Sequence, residues 1–570
     1  MQGAGAARLV LGVRRRRSRS RWDVAHRLAF GLPLYRLTLV GRLPERLLVN
    51  PTDPWPGDAE RGRLILKGEY RFAGQAFVHR PGPSWFPAGA VEAWLTELHG
   101  FAWLRDVKAA GTGDARQAAR VWIADWISRC GRWHPLAWRP DVLGRRLVAW
   151  LNQSAFVLTG ADILFERRFL ASLAEQARHL ARVAASSPDG AARIAAVKGY
   201  LFAVLCLPGC ERRLRPALKL LDQELNRQVL TDGGHVERSP SAHLRVFRDL
   251  VELRSALLAA RKPMAEALNG AIIRMAPMVR FFRHGDGGLA LFNDTNEESA
   301  ALIDVSLALA QATGRPPARA PHSGFERLAA GRTLVIVDAG PPPPPRFGHH
   351  THPGTLSFEM SVGKERLIVN CGAYGGEDPD WRRAPRTTAA HSTVTVDDTN
   401  SLAVVDEGVG GRSPVRVTSE RHEDGGDTWL DTNHDGYQAP FKLTHRRRLF
   451  LSADGENLRG EDTLSGPGGE RFAVRFHLHP EVHASLLGDG STALLRLPSG
   501  AGWRLRAAGG VMNLVGSVYL GRPGKIRRSE QVVVSGGLTG AETKIKWAIS
   551  RVSKRVKLEV LGRADASVGA

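Results

Sequence analysis

The chain is poor in cysteine, short of acid and free of long apolar runs. Four cysteines stand among 570 residues: Cys130, Cys206, Cys210 and Cys371. Their spacing matches no metal-ligand pattern. Cys206 closes an apolar helical run and Cys210 follows the Pro208-Gly209 break, so they read as packing residues rather than a disulfide, and the redox compartment stays open. No run of about 18 or more apolar residues exists, so no transmembrane segment is expected. Helix-turn-helix, RNP and zinc-finger patterns are missing, which argues against a specific nucleic-acid partner. No internal repeat of fixed period is found. Against 57 acidic residues stand 79 basic ones, a formal net charge of +22. Such a surplus favours polyanions, whether acidic glycan, acidic lipid or nucleic acid, although Arg-rich genome composition would give the same number. The N-terminus carries Arg14 to Arg17, but the stretch 28–40 is broken by Arg36 and lacks a small-residue cleavage site. It does not read as a secretory signal. The cluster Arg14–Arg21 reads as a solvated tail, with membrane-surface contact as the lesser reading.

A chain of this length exceeds one core and implies two or three domains. Hydrophobic content of 43% and charged content of 24% are those of an ordinary globular protein. The boundaries read as a basic lead-in over 1–50, a helical domain over 51–290 and a β domain over 291–570. After the Pro-rich loop 51–58 and a small β segment at 70–74, amphipathic helices are expected at 114–129, 142–157, 169–185, 194–207, 214–229 and 242–260. In the first, Ala118, Val121, Trp122, Ala124 and Trp126 are the expected apolar side. Gly and Pro punctuate the short connections. Periodicity leaves two arrangements open, a bundle or an α/α toroid. Residues 289–293 read as a strand, 299–312 as a further helix and 341–345 as an extended polyproline loop. From Thr333 to Val560, short strands with Gly/Asp turns every eight to twelve residues indicate a large antiparallel sandwich.

Within that region the stretch from Gly348 to Asp398 concentrates chemistry. His349, His350 and His352 precede an alternating segment, Leu356-Ser357-Phe358-Glu359-Met360. A second strand, 366–370, ends in Asn370-Cys371-Gly372, and His391 opens a third, 392–396. On extended chain His350 and His352 share a face, and His391 can join them from a neighbouring strand.

This stretch resembles the C-terminal sandwich of the heparinase II/III-like polysaccharide lyases. Three pieces carry the likeness in order: His350 and His352 before Leu356-Ser357-Phe358-Glu359, then Val369-Asn370-Cys371-Gly372, then Ala390-His391-Ser392-Thr393. The resemblance favours a multidomain α+β chain, an N-terminal incomplete α/α toroid followed by a C-terminal antiparallel β-sandwich. It also implies β-elimination on a uronate-containing acidic glycan in a cleft between the two. That reaction needs a donor or cation on the uronate carboxylate, a base for the C5 proton and an acid for the leaving oxygen.

By resemblance His350 is the sandwich's catalytic histidine. His352, Asn370 and His391 fall where some family members hold a structural zinc, and Asn is a weaker ligand than the carboxylate expected there. No cofactor is otherwise required. In the helical half, the segment Asp232–His243 resembles a family motif, with Ala242 at the place of a catalytic Tyr. Asp189-Gly190-Ala191-Ala192-Arg193 stands where the family has an Asn-His pair. His235, Arg238 and His243 remain as catalytic candidates, with Glu237, His349 and Tyr374 as substrate-binding ones. Arg238 is suited to hold a carboxylate, while Ser239-Pro240 fits a helix N-cap and first turn. Two functions follow: an acidic-glycan lyase, or a non-catalytic glycan-binding or envelope-associated protein on the same scaffold. The resemblance points to the cell envelope or periplasm, and the N-terminus, without an export signal, to the cytoplasm. Oligomeric state is not readable.

Overall fold

The computed structural model describes residues 28–552 apart from 81, 377, 406–407 and 410–415; the reading of Arg14–Arg21 falls outside them. The helices are α1 Pro33–Leu37, α2 Ala59–Leu66, α3 Glu92–Gly100, α4 Leu104–Ala109, α5 Gly113–Cys130, α6 Pro140–Asn152 and α7 Ser154–Leu158. They continue as α8 Ile163–Val183, α9 Ala191–Cys206, α10 Leu214–Gln228, α11 Pro240–Ala259, α12 Glu266–Phe281 and α13 Ala300–Ala310. A hairpin, Glu69–Phe72 with Gln75–Val78, sits beside α2. α9 is buried along nearly its whole length and packs on α6, α8, α10 and α11, so it is the centre of the array.

Sequence periodicity placed these helices closely, with instructive shifts. In α5 the buried side is Ala115, Ala119, Trp122, Ile123, Trp126 and Cys130, and Val121 faces out. Spacings of three and four keep one stripe inward, and Val121 lies off it. The expected helix 142–157 divides into α6 and α7 at Gln153. The expected strand 289–293 is irregular chain with a single bridge, Arg283 to Leu289. α13 packs back on α11 and α12, so helical structure continues to Ala310, past the boundary read at 290.

The helical core is aromatic. Trp94, Trp103, Trp126, Trp138 and Trp150 are buried in it. Arg146 is buried among them with Nε donating to Gln176 Oε1 at 2.8 Å and Nη1 to the carbonyls of His99 (3.0 Å) and Ala137 (2.8 Å), while Nη2 has no hydrogen-bond partner among the described residues. Its guanidinium also lies 4.0 Å over the Trp126 ring.

The second half is two antiparallel sheets. The eight-stranded sheet runs Val417–Asp424, Asp427–His434, Thr444–Leu451, Asn457–Ser465, Glu542–Arg551, Gly502–Ala508, Thr492–Arg496 and His483–Leu486. The nine-stranded sheet runs Val511–Tyr519, Arg527–Gly537, Arg471–Leu478, Glu365–Val369, Phe358–Val362, Thr333–Asp338, Phe325–Ala330 and Arg319–Ala320, with Val394–Val396 also paired to Arg471–Leu478. Alternating strands such as Thr444–Leu451 bury His445, Arg447, Leu449 and Leu451 while Arg446 and Arg448 face solvent. The inner faces meet in a core that includes Phe358, Phe476 and Trp547. The four cysteines are free thiols. His349 and His350 lie in a 3-10 turn, Pro345–His350, rather than at the start of a strand. Of the prolines at 341–345 only Pro345 enters that turn, and 341–344 precede it as loop.

Candidate functional site between the helical and sandwich halves

The site is assembled by three loops. The first, 230–239, leads into α11. Asp232 uses both carboxylate oxygens: Oδ1 accepts from Gly234 N, and Oδ2 from the backbone N–H groups of His322 and Ser323 and the Ser323 hydroxyl. Arg238 has φ 55°, a left-handed conformation that turns its side chain out of the helix start. Its guanidinium donates to the carbonyls of Ser323 (2.7 Å), Gly324 (2.9 Å), Gly340 (3.2 Å) and Pro341 (2.7 Å), and to the Asp338 carboxylate. All these acceptors belong to the first strands of the sandwich and their connections. Ser239 caps α11, its hydroxyl accepting from Ala242 N, and Pro240 follows in the first turn.

The second loop is the linker 292–298. Asn293 and Asp294 both have positive φ, a region that Asn and Asp tolerate better than most residues. The Asn293 amide donates to Arg238 O at 2.9 Å while its oxygen accepts from His352 N at 3.0 Å, so one side chain ties both halves. Thr295 bonds Ser239 and Ser241 at the α11 start. Glu297 accepts from Tyr519 OH at 2.5 Å.

The third loop carries the histidines. His350 Nδ1 lies 2.7 Å from Asp294 Oδ2, and its Nε2 lies 3.8 Å from Glu237 Oε2. Its side chain is 37% exposed and opens on the cleft. Desolvation in the cleft works against its proton, but the hydrogen bond to Asp294 and the charge of Glu237 prevail and raise its pKa. Burial would raise the Asp294 carboxyl, yet the His350 hydrogen bond, with the charges of His350, His352 and Arg386, brings it below its usual value. Glu237 is buried. Its Oε1 accepts from Ala191 N at the start of α9, and Oε2 has no hydrogen-bond partner among the described residues. Gly190, at φ 86°, makes room for that carboxylate: a Cβ there would stand 2.0 Å from Glu237 Oε1.

Of the residues singled out from the sequence, His350 and Glu237 are brought together. His235 is buried, its Nε2 paired with Gln228 Oε1 at 3.0 Å, and burial lowers its pKa. His243 is buried with Nε2 3.0 Å from Met275 O, and burial pushes its pKa down to about 3. Arg238 is committed to the interface and directs no donor toward the cleft that it does not already use there. His349 is exposed. Tyr374 packs near Trp381, ring centroids 6.0 Å apart, on a loop held by Asn296 Nδ2 donating to Ala373 O. Asp294 and Asn293 were not read from the sequence. The Asn-Asp-Thr-Asn run at 293–296 was the available signal, since Asn and Asp accept left-handed turns. Arg245 and Arg386 were also passed over; Arg245 opposes the protons of His235 and His350, and Arg386 favours the charged form of Asp294.

The rings of His352 and His391 meet edge to face, centroids 5.5 Å apart, both buried. Burial lowers their pKa values to about 3 and about 4. Asn370 Oδ1 accepts from Ser392 N at 3.0 Å, and its amide nitrogen is buried without a partner among the described residues. His391 Nδ1 is engaged by Thr387 O at 2.8 Å. Among the described residues no group of three or more His, Cys, Asp or Glu is placed to hold a metal ion. Two imidazoles and a neutral amide whose oxygen is already engaged do not fit a structural zinc.

Comparison with known proteins places this geometry. Residues 85–308 match the model of the heparinase II/III N-terminus, and residues 312–548 that of the heparinase II/III-like C-terminal domain. FtsZ-localized protein C of Caulobacter vibrioides is 34% identical over 559 residues, covering 92% of this chain and 93% of that protein. The crystal structure of heparinase III superposes with a TM-score of 0.70 at 16% identity, covering 94% of this chain and 91% of the other. A mutant of the heparan sulfate lyase HepC from Pedobacter heparinus gives 0.62 at 17% identity, covering 94% and 90%. The architecture is thus that of heparinase III, a helical toroid followed by a β-sandwich, and the chain belongs to the heparinase II/III-like family.

Proposed function

We propose that this protein is a non-eliminating member of the family, a binding protein on the polysaccharide-lyase scaffold that localises with FtsZ. One observation carries the first part. The groups on the helical side of the cleft that could serve elimination are committed to internal partners, and the position that by motif resemblance stands for the family's acid is the buried Ala242. Elimination needs a proton acceptor, a proton donor and a partner for the uronate carboxylate at one place. Here Arg238 anchors the sandwich, His235 and His243 are held by Gln228 and the Met275 carbonyl, and alanine has no proton to give. His350 faces two carboxylates, Asp294 and Glu237, which repel a uronate. The localisation is supported by the 34% identical relative, whose name ties it to FtsZ.

A second reading, retained lyase activity on an acidic polysaccharide, is favoured by the partial exposure of His350 and by Tyr374 on the loop that Asn296 holds. The two separate in one assay. Wild type and His350→Ala are incubated with a panel of uronate-containing polysaccharides while unsaturated uronate is followed by absorbance. A flat trace is expected; a rise that His350→Ala abolishes would overturn the proposal. For localisation, a fluorescent fusion is expected to coincide with FtsZ in cells, and a diffuse signal would overturn that half.

A further inference from the structure

Where α8 and α9 run side by side, their packing leaves a cavity of about 220 Å³ that shares no residue with the three loops of the cleft. Ala174, Ala177 and Arg178 recur at spacings of three and four on α8, as Tyr200, Ala203 and Val204 do on α9, so each set lies on one face of its helix. The three alanines are buried, and a methyl is all that each adds to the wall. The space is therefore open where interiors are otherwise close-packed. Polar groups converge on it from one side: Tyr200, itself 8% exposed, and the arginines Arg42, Arg178 and Arg213. Burial raises the Tyr200 pKa while the charge of Arg213 works against the rise, so a protonated hydroxyl stands beside that guanidinium. An apolar floor with a few convergent polar groups is the build of a small-molecule site.

Charge and size identify the occupant. Among the described residues no carboxylate lines the cavity. The acids next to its walls in sequence are taken elsewhere: Glu175 pairs with Arg36 at 3.6 Å, and Glu211 accepts from Gly209 N at 3.2 Å. Arg178 spends Nη1 and Nη2 on the carbonyls of Leu39 and Arg42, so it contributes charge more than donors. Arg42 and Arg213, both at the exposed rim, are the guanidiniums a ligand can reach. A buried apolar cavity of roughly 150 Å³ holds benzene, so this one has room for a single ring or a short chain with one acidic group at the rim. We propose that the cavity binds a small organic anion, a carboxylate carried on one ring or a short aliphatic chain. Its body lies against Ala177, Ala203 and Val204, and its carboxylate accepts from Tyr200 and Arg213.

The test is calorimetric titration of the full chain with sodium benzoate. Benzyl alcohol supplies the ring without the charge, and acetate the charge without the ring. Arg213→Gln removes a guanidinium from the exposed rim, and Ala203→Leu fills the space from α9; unchanged thermal unfolding establishes that each variant folds. Wild type is expected to bind benzoate at least about tenfold more tightly than either control, because the site needs both the body and the charge. Arg213→Gln is expected to weaken benzoate about fivefold or more and to reduce the salt dependence of binding. Ala203→Leu is expected to abolish binding. Wild type that takes up no benzoate at millimolar concentration would overturn the proposal, as would benzyl alcohol or acetate binding as tightly as benzoate. Benzoate held equally by wild type and Arg213→Gln would overturn it too, and that comparison stands on a rim residue even if Ala203→Leu fails to fold.

Discussion

The cleft has two walls, and they use the same residue types for different ends. On the sandwich wall, His350 stands partly exposed between Asp294 and Glu237. On the helical wall, Arg238, His235 and His243 are buried and hydrogen-bonded within the protein. A buried guanidinium needs its donors matched, and the turns at Ser323–Gly324 and Gly340–Pro341 supply the carbonyls, that of Gly324 shared with Ala339 N. Rigidity between the halves and reactivity toward a ligand thus compete for one arginine. In this chain rigidity has it.

The comparison breaks most directly at Arg238. Arg238→Ala leaves Asp338 buried without its ion-pair partner and takes the guanidinium donor from the carbonyls of Ser323, Gly340 and Pro341, while Gly324 O keeps Ala339 N. A loss of about 3–5 kcal/mol is expected in urea unfolding, with the two halves separating into distinct transitions. A change below about 1 kcal/mol would show that the walls are held by other contacts.

Acid should loosen both halves. Burial lowers the pKa of His99 in the helical half and of His477 in the sandwich to about 3, from 6.5. Both are neutral when folded down to about pH 3 and take a proton near pH 6.5 once unfolded, so unfolding gains protons as pH falls. Each unit of depression corresponds to about 1.4 kcal/mol. Urea midpoints should be steady above pH 6.5 and fall progressively from there toward pH 3. Midpoints unchanged between pH 7 and pH 4 would contradict the depressed values.

Ala242→Tyr restores the missing hydroxyl on the helical wall. It must be fitted into a buried position, so about 1–3 kcal/mol of destabilisation is expected, with no unsaturated uronate formed. Product formation would instead show that a single residue separates this chain from an eliminating enzyme.

Asp162→Ala probes the helical half away from the cleft. Asp162 caps α8, accepting from Leu164 and Phe165 N, and its loss should cost about 1 kcal/mol. His350→Ala should change stability least, by less than about 1 kcal/mol, since its close pair with Asp294 is partly solvated. A larger loss would make His350 part of the clamp rather than part of the open wall.

Most elements were legible because period is local. The apolar spacing that placed α8 to α11 and the alternation that placed Thr444–Leu451 are properties of neighbouring residues, which each helix or strand must satisfy whatever surrounds it. His350 was legible through its motif. Asp294 was not, because a carboxylate fifty-six positions away becomes its partner only when the linker turns left-handed at Asn293 and Asp294. The expectation that His350, His352 and His391 share a face was argued from extended chain. Alternation holds on extended chain, and His350 lies in the 3-10 turn Pro345–His350.

The sequence by itself determined the order of helical and β halves, the helix start at Ser239-Pro240, and the basic N-terminal stretch. These follow from composition and from bonds between near neighbours. Only the tertiary structure decided which polar groups remain available to a ligand. An arginine or histidine carries the same chemistry in any sequence, but whether its donors face a cleft or a carbonyl depends on chain that folds back from a hundred residues away.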